Sequence, residues 1–164
     1  MRMTFLDAIK TCMAKYVTIS GRASRAEFWW FYLFTILVQL GATALDAAFF
    51  GWDEIEDVGP LELITTYGLF IPIITATIRR LHDTNRSGWY ILVPILTIGA
   101  TFGVGALSPG LTVGAGFVLV LLIGLSGFLL QLYWLSQPSD PGSNTYGPNP
   151  YDALNDANLM EVFK

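Results

Sequence analysis

The sequence has little of the chemistry that disulfides and metal sites require. Cys12 is the single cysteine and His82 the single histidine. One cysteine excludes a disulfide within the chain and a thiolate metal cluster, and one histidine excludes a site built from several histidines. The net charge of −4 argues against a nucleic-acid partner. No motif in the chain predicts a cofactor or a metal ion.

Long hydrophobic runs are what the sequence does have. Hydrophobic residues make up 53% of the 164 residues and charged residues only 13%. Four runs are long enough to cross the ~30 Å hydrocarbon core, which takes about 20 helical residues. We therefore predict an all-α membrane protein, with four transmembrane helices in residues 1–137 and an irregular tail in residues 138–164. The predicted spans cover residues of about 28–50, 61–78, 89–107 and 111–135.

The N-terminal segment, residues 4–17, predicts an amphipathic helix. Its apolar side chains recur at helical spacing, and Thr4 followed by Asp7 is a capping-box pattern. Such a helix can lie at the membrane surface as an interfacial helix, or its apolar face can pack against the protein's own spans. The pattern favours neither alternative.

A first polar stretch, residues 21–30, precedes the first span. Ser24 is a suitable N-cap residue for that span, and Glu27 three residues later would complete a second capping box. Trp29 and Trp30 are typical of the aromatic belt at a membrane interface.

Three features inside the spans predict how the helices meet. Asp46 lies near the far end of the first span, where we expect its carboxylate to reach the interface. Pro72 leaves one carbonyl of the second span without its helical partner, and a neighbouring segment can satisfy that carbonyl. We expect the third and fourth spans to pack closely through Gly99, Gly103 and Gly114.

A second polar stretch, residues 79–89, separates the second and third spans. It concentrates three arginines, the histidine and an acid beside small turn residues. Long apolar segments flank it on both sides, so it must lie where the bilayer ends. Its candidate binding residues are Arg79, Arg80, His82, Asp83 and Arg86, and its candidate structural residues are Ser87, Gly88 and Trp89.

The tail changes character after the fourth span. Residues 138–150 are turn formers with no helical or strand period. Asn144 and Tyr146 can form hydrogen bonds, and the segment follows the fourth span directly. We therefore expect these residues to fold back as an ordered cover over the basic residues, and not to form a disordered tail.

The basic residues predict the orientation. Five precede the first span and three lie between the second and third, so eight of the nine share one side. The loops after the first and third spans have none. By the positive-inside rule the basic side is cytoplasmic, so we predict that both termini are cytoplasmic.

Two motifs carry a resemblance to a known family. Residues 21–29 (GRASRAEFW) and residues 80–89 (RLHDTNRSGW) resemble the two signatures of domain-of-unknown-function family 805, and residues 144–150 (NTYGPNP) are similar to the tail of that family. The resemblance covers nearly the whole chain. It implies a four-helix domain in a bacterial inner membrane, and it implies no activity, because the family has no established one.

Three functions compete for the polar stretches. The charged residues can simply hold the structure together. They can form a binding or scaffold module for an anionic phospholipid headgroup or for an acidic segment of another membrane protein, because arginine grips phosphate and carboxylate bidentately. They can also serve a membrane enzyme or transporter that acts on a lipid-linked or small anionic substrate through His82 and Asp83. The predicted binding residues are Arg22, Arg25, Arg79, Arg80, His82, Asp83 and Arg86, and the predicted structural residues are Glu27, Ser24, Ser87, Gly88, Trp89, Asn144 and Tyr146.

One ion pair is predicted in particular. Glu27 lies at the start of the first span, where a partly desolvated carboxylate stays charged only beside a cation. We expect Glu27 to pair with Arg79 or Arg80, with Arg80 as the first choice because it is closer to the turn.

Overall fold

The computed structural model describes residues 3–50, 58–108, 110 and 114–152. Within these residues the regular structure is helical, which confirms the all-α fold class. The helices are α1 Phe5–Ala14, α2 Arg25–Phe50, α3 Pro60–Asp83, a 3-10 helix Gly88–Leu92, α4 Val93–Leu107 and α5 Gly114–Ser136.

Four helical stretches are long and apolar enough to cross a membrane: α2, α3, the 3-10 helix with α4, and α5. Most of their large apolar side chains are exposed, as expected for a surface that faces lipid. Four spans are therefore confirmed. Because α3 continues to Asp83, the first half of the second polar stretch is the last turn of a helix and not a loop. Residues 51–57 and the chain after residue 152 lie outside the described residues.

Helix α1 is amphipathic and begins with the predicted capping box between Thr4 and Asp7. The hydrogen bonds from Thr4 lower the pKa of the Asp7 carboxyl. Ala8 and Cys12 on its inner face are fully buried, while Leu6 on the outer face is exposed. The sequence left open whether the apolar face of α1 lies on the membrane surface or packs against the protein's own spans. The buried face packs against the spans.

The segment after α1 reaches the carbonyl that Pro72 leaves without a partner. Proline has no backbone N–H, so the carbonyl four residues earlier, on Gly68, loses its helical hydrogen bond. The Tyr16 hydroxyl donates to that carbonyl at 2.6 Å. The expectation that a neighbouring segment satisfies it is confirmed, and the contact fixes the N-terminal segment against α3.

Asp46 has a role that the sequence did not predict. Its side chain is buried, and its carboxylate accepts from the backbone N–H groups of Leu61 (3.1 Å) and Glu62 (2.8 Å). These groups lie in the first turn of α3, where N–H donors lack helical partners. Asp46 therefore caps the next helix, and its position relative to the membrane interface stays a prediction. Gly59 is required beside it, because a Cβ at that position would overlap the Asp46 side chain.

Helices α4 and α5 approach closely, but not through the predicted glycines. Within the described residues nothing lies within 4 Å of a Cβ added at Gly99 or Gly103, so that prediction was wrong. The contact is made by the glycines at 124 and 127 of α5, which face the threonines at 101 and 97 of α4. Residues 97 and 101 share one face of α4, and residue 99 lies about 200° away from residue 97. The surroundings of Gly114 lie outside the described residues.

Candidate functional site

The start of α2 meets the ends of α3 and α5 at one end of the bundle, which we call the polar end. Five charged side chains are buried there, and we call them the arginine cluster: Arg22, Arg79, Arg80, Glu27 and Asp83. The side chains of Arg79, Arg80 and Asp83 are 0% exposed. Burial this complete is unusual for arginine and requires that each charge be paired.

Asp83 is the centre of the cluster. One carboxylate oxygen accepts from Arg22 Nε at 2.9 Å, and the other accepts from Arg80 Nη1 and from the Ser139 hydroxyl. Its backbone carbonyl accepts from the N–H of Asp140 at 2.9 Å. A single carboxylate therefore joins the loop before α2, the last turn of α3 and the beginning of the tail.

The predicted partner of Glu27 was half right. Glu27 pairs with Arg79 at 2.5 Å and not with Arg80, the first choice. Successive helical residues point about 100° apart, so Arg79 faces α2 while Arg80 faces α5 and the tail. The Ser24 hydroxyl accepts from the N–H of Glu27 at 3.1 Å, but the Glu27 carboxylate is used by Arg79, so the second capping box is only half formed.

Cys12 is a contact of this ion pair that sequence reasoning missed. Its sulfur lies 3.7 Å from Glu27 Oε1 and 3.8 Å from Arg79 Nη2. Burial, followed by the charge of Glu27, raises the pKa of the Cys12 thiol to about 11. Cys12 is therefore a protonated core residue at neutral pH and not a nucleophile.

Helix ends explain why three guanidinium groups can be buried beside two carboxylates. Arg80 Nε donates to the carbonyl of Leu135 at 3.0 Å, and Arg80 Nη2 donates to the carbonyl of Gln137. The last carbonyls of a helix lack helical partners and carry the negative end of the helix dipole. The end of α5 thus supplies negative potential that the two carboxylates alone do not.

The tail covers the cluster, as predicted. Arg22 donates to the carbonyls of Asp140 at 2.6 Å and Gly142 at 2.7 Å. The Asn144 side-chain amide donates to the carbonyl of His82 at 2.9 Å. The ring of Tyr146 stacks on the ring of His82, with centroids 3.9 Å apart. The segment without a helical or strand period is therefore ordered by contacts with α3 and with the loop before α2.

The side chains of His82 and Asp83 have separate partners. The His82 ring lies against Tyr146, and its Nδ1 is 3.2 Å from the carbonyl of Gly21. The Asp83 carboxylate faces Arg22 and Arg80 instead. The sequence hypothesis that uses both residues as one site therefore has no support in the geometry.

The remaining residues of the second polar stretch shape the turn into the third span. The Ser87 hydroxyl accepts from the N–H of Trp89 at 3.4 Å and caps the 3-10 helix. A Cβ on Gly88 would lie 2.9 Å from Ile78 Cγ2, which is why glycine fits there. The Trp89 side chain is exposed. Ser87 and Gly88 therefore shape this turn, and a structural role for the Trp89 side chain stays a prediction.

Two of the predicted binding arginines lie outside the cluster. Arg86 is half-buried; it donates to the carbonyl of Thr84 at 3.2 Å, and its guanidinium lies 5.6 Å from the centroid of the Trp134 ring. Arg25 is exposed, and its hydrogen bond to the carbonyl of Ser136 is long, at 3.4 Å. Neither forms an ion pair with a carboxylate in the described part of the chain.

Arg25 borders an open groove of about 450 Å³. The groove runs along the first two turns of α2 and combines one cation with an aromatic and aliphatic wall. It is lined by Arg25, Ala26, Trp29, Trp30, Leu33 and Tyr151.

Comparison with known proteins identifies the family. The family model described as "Protein of unknown function (DUF805)" matches residues 16–148. The chain belongs to DUF805. The match includes every residue of the arginine cluster and the tail segment that covers it. The resemblance seen in the two polar stretches is thereby confirmed.

Two curated proteins of Escherichia coli (strain K12) are similar to this DUF805 chain. Inner membrane protein YhaH is 30% identical over 145 residues, which are 88% of this chain and 97% of YhaH. Inner membrane protein YhaI is 29% identical over 138 residues, which are 84% of this chain and 90% of YhaI. No solved structure shows significant similarity to the chain. Together with the four apolar helices, these relatives identify a multi-pass inner-membrane protein of unknown function.

Proposed function

We propose that this protein is a non-catalytic membrane module that binds an anionic phospholipid in the groove beside Arg25. The observation that carries the proposal is the difference in burial among the arginines. Arg22, Arg79 and Arg80 are buried in internal contacts, whereas Arg25 is exposed at the mouth of an aromatic groove.

The chemistry of Arg25 suits a lipid phosphate. A guanidinium presents parallel N–H donors that match two phosphate oxygens. Arg25 is also the first residue of α2, where the positive end of the helix dipole attracts an anion. Its long contact with the carbonyl of Ser136 is weak enough to be exchanged for a phosphate.

The walls of the groove suit the upper part of an acyl chain. Trp30 and Leu33 are exposed apolar side chains that line the same groove as Arg25. Tryptophan is enriched at the level of the lipid headgroups, where its ring is apolar and its N–H can be hydrated. A phosphate at Arg25 would therefore place the chain of the same lipid along the aromatic wall.

The proposal includes an orientation in which both termini and the polar end are cytoplasmic. Its support is that eight of the nine basic residues precede the first span or lie between the second and third, and the ninth, Lys164, is in the tail on the same side. Reporter fusions at Glu56 and Lys164 are expected to give periplasmic and cytoplasmic signals, respectively. The reverse pattern would put Arg25 in the outer leaflet and contradict the proposed orientation.

Retention of lipid by the purified protein tests the binding site. The full chain is reconstituted with equal phosphatidylglycerol and phosphatidylcholine, and native mass spectrometry measures the lipid that stays bound. We expect preferential retention of phosphatidylglycerol, lost in Arg25→Gln and partly kept in Arg25→Lys. Arg86→Gln is the matched control, because it removes one equally charged arginine of the same end and should leave retention unchanged. Equal loss in both variants would mean nonspecific attraction, and no loss in either would overturn the site.

A further inference from the structure

A second cavity lies inside the bundle, between α2, α3, α4 and α5. Its volume is about 220 Å³, and it is a different space from the groove beside Arg25. Most of its wall is aromatic or aliphatic, and Phe128 on that wall is 46% exposed. Because the exposed faces of these helices are apolar, the cavity opens toward lipid. It is lined by Phe28, Trp29, Tyr32, Thr77, Ile91, Pro94, Phe128, Gln131, Leu132 and Leu135.

Gln131 carries the buried polar atom of this wall that lacks a partner. The residue is 7% exposed, and its Oε1 accepts no hydrogen bond from the described part of the chain. A buried amide oxygen without a donor is costly, and the bilayer supplies no water to compensate. Thr77, also on the wall, already donates its hydroxyl to the carbonyl of Ile73 at 2.7 Å.

A water molecule alone fits this cavity poorly. A buried water typically forms about three hydrogen bonds. Gln131 offers one buried orphaned acceptor, and the Thr77 hydroxyl proton is already used. The other side-chain polar atoms of the wall are the ring N–H of Trp29 and the hydroxyl of Tyr32, which belong to partly buried side chains. The rest of the wall is largely hydrocarbon, which favours an occupant that is itself largely hydrocarbon.

We propose that the cavity binds an apolar molecule that carries a hydroxyl group, with the hydroxyl on Gln131. A hydroxyl both donates and accepts, so it satisfies the amide in either orientation of the side chain. An apolar cavity of about 150 Å³ accepts benzene, so 220 Å³ accommodates one ring or a chain of roughly eight carbons. Gln131 lies five residues before the end of α5 at Ser136, which is a depth of about 7.5 Å. A hydroxyl-bearing lipid and a free alcohol dissolved in the bilayer both supply this chemistry.

Photolabelling of the full chain in nanodiscs tests the proposal. The probes are an eight-carbon alcohol that carries a diazirine and its methyl ether, which accepts hydrogen bonds but donates none. The alcohol is expected to label the cavity residues on α2 and α5 about three-fold more than the ether, because one hydrogen bond in a membrane protein is worth about that factor. Gln131→Leu should make the two probes equal, and Ser126→Ala on the exposed face of α5 should leave the difference unchanged.

The competition arms separate the two sources and keep the test decisive. Unlabelled 1-octanol should reduce labelling in either case, whereas dioctanoylglycerol should reduce it only if a lipid-borne hydroxyl enters. The Gln131→Leu variant should melt at the same temperature as the unmodified protein or at a higher one, because it removes an orphaned amide. If this variant does not fold, Gln131→Met is used in its place. Two results would overturn the inference. One is equal labelling by the alcohol and the ether in the unmodified protein, and the other is a preference for the alcohol that remains in Gln131→Leu or Gln131→Met.

Discussion

The polar end and the α4–α5 hairpin of this protein are held together by different means. At the polar end, buried charges join segments far apart in the sequence, and Arg22 contacts Gly142, 120 residues away. In the hairpin, close contact relies on glycines of α5 that face threonines of α4, and no residue of the described helix α4 is buried. Lipid chains are as apolar as leucine, so apolar contact alone gives spans little reason to associate. Directional polar contacts therefore account for contact between segments far apart in the sequence, and close backbone approach accounts for contact between two neighbouring helices.

The largest effect is expected from the centre of the arginine cluster. Asp83→Asn keeps the shape of the side chain but leaves Arg22 and Arg80 without a charged partner. Removing one member of a buried ion pair typically costs about 3–5 kcal/mol, which is expected to appear as a strongly lowered unfolding midpoint in mild detergent. Asp140→Asn is the matched control, because the tail contact of that residue is made by its backbone. Equal effects of the two variants would break the distinction between buried pairs and surface charge.

A smaller effect is expected from the hairpin. A side chain at Gly127 would overlap Thr97, so Gly127→Leu should force α4 and α5 apart at a cost of about 1–3 kcal/mol. Gly103→Leu adds the same volume where nothing lies within 4 Å and should leave the melting temperature unchanged. The opposite ranking of the two glycines would show that the hairpin packs through another face.

The smallest effect is expected outside both regions, at the proline of α3. Tyr16→Phe removes one hydroxyl and leaves the Gly68 carbonyl without a donor, which should cost about 1 kcal/mol. Tyr67→Phe is a suitable control, because the exposed Tyr67 ring lies beside the same carbonyl in the chain. Loss of stability in Tyr67→Phe but not in Tyr16→Phe would argue against a stabilising hydrogen bond from Tyr16 to the Gly68 carbonyl.

Local sequence patterns made the fold predictable, whereas the contacts between distant segments depend on geometry that the sequence does not contain. The four spans and the α1 capping box follow from the order of residues along the chain, so they were predicted. The partner of Glu27 depends on which way two adjacent arginines point, and a sequence without a fixed helix rotation does not give that. The cap by Asp46 was missed for a similar reason, because the carboxylate serves the helix after its own.

The site shows the same division. Polar residues concentrated at the ends of spans predicted that a cluster forms and that the tail covers it. The pattern did not distinguish buried arginines from exposed ones, because the first polar stretch contains arginines of both kinds. Arg25 and Arg79 separate only when the start of α2 is placed against α3. Gln131 gave no signal at all, since a single glutamine in an apolar span becomes informative only beside a cavity.

A double-mutant cycle on Glu27 and Arg79 tests most directly the claim that buried ion pairs lock the polar end. Glu27→Gln, Arg79→Gln and the double variant are compared by their free energies of unfolding in mild detergent, and Glu27→Gln with Arg86→Gln is the control cycle. The account predicts that each variant of the Glu27–Arg79 pair is strongly destabilised alone. The double variant should lose less than the sum by about 0.5–3 kcal/mol, whereas the control cycle should be additive within about 0.5 kcal/mol. Additive losses for Glu27 and Arg79 would contradict the claim.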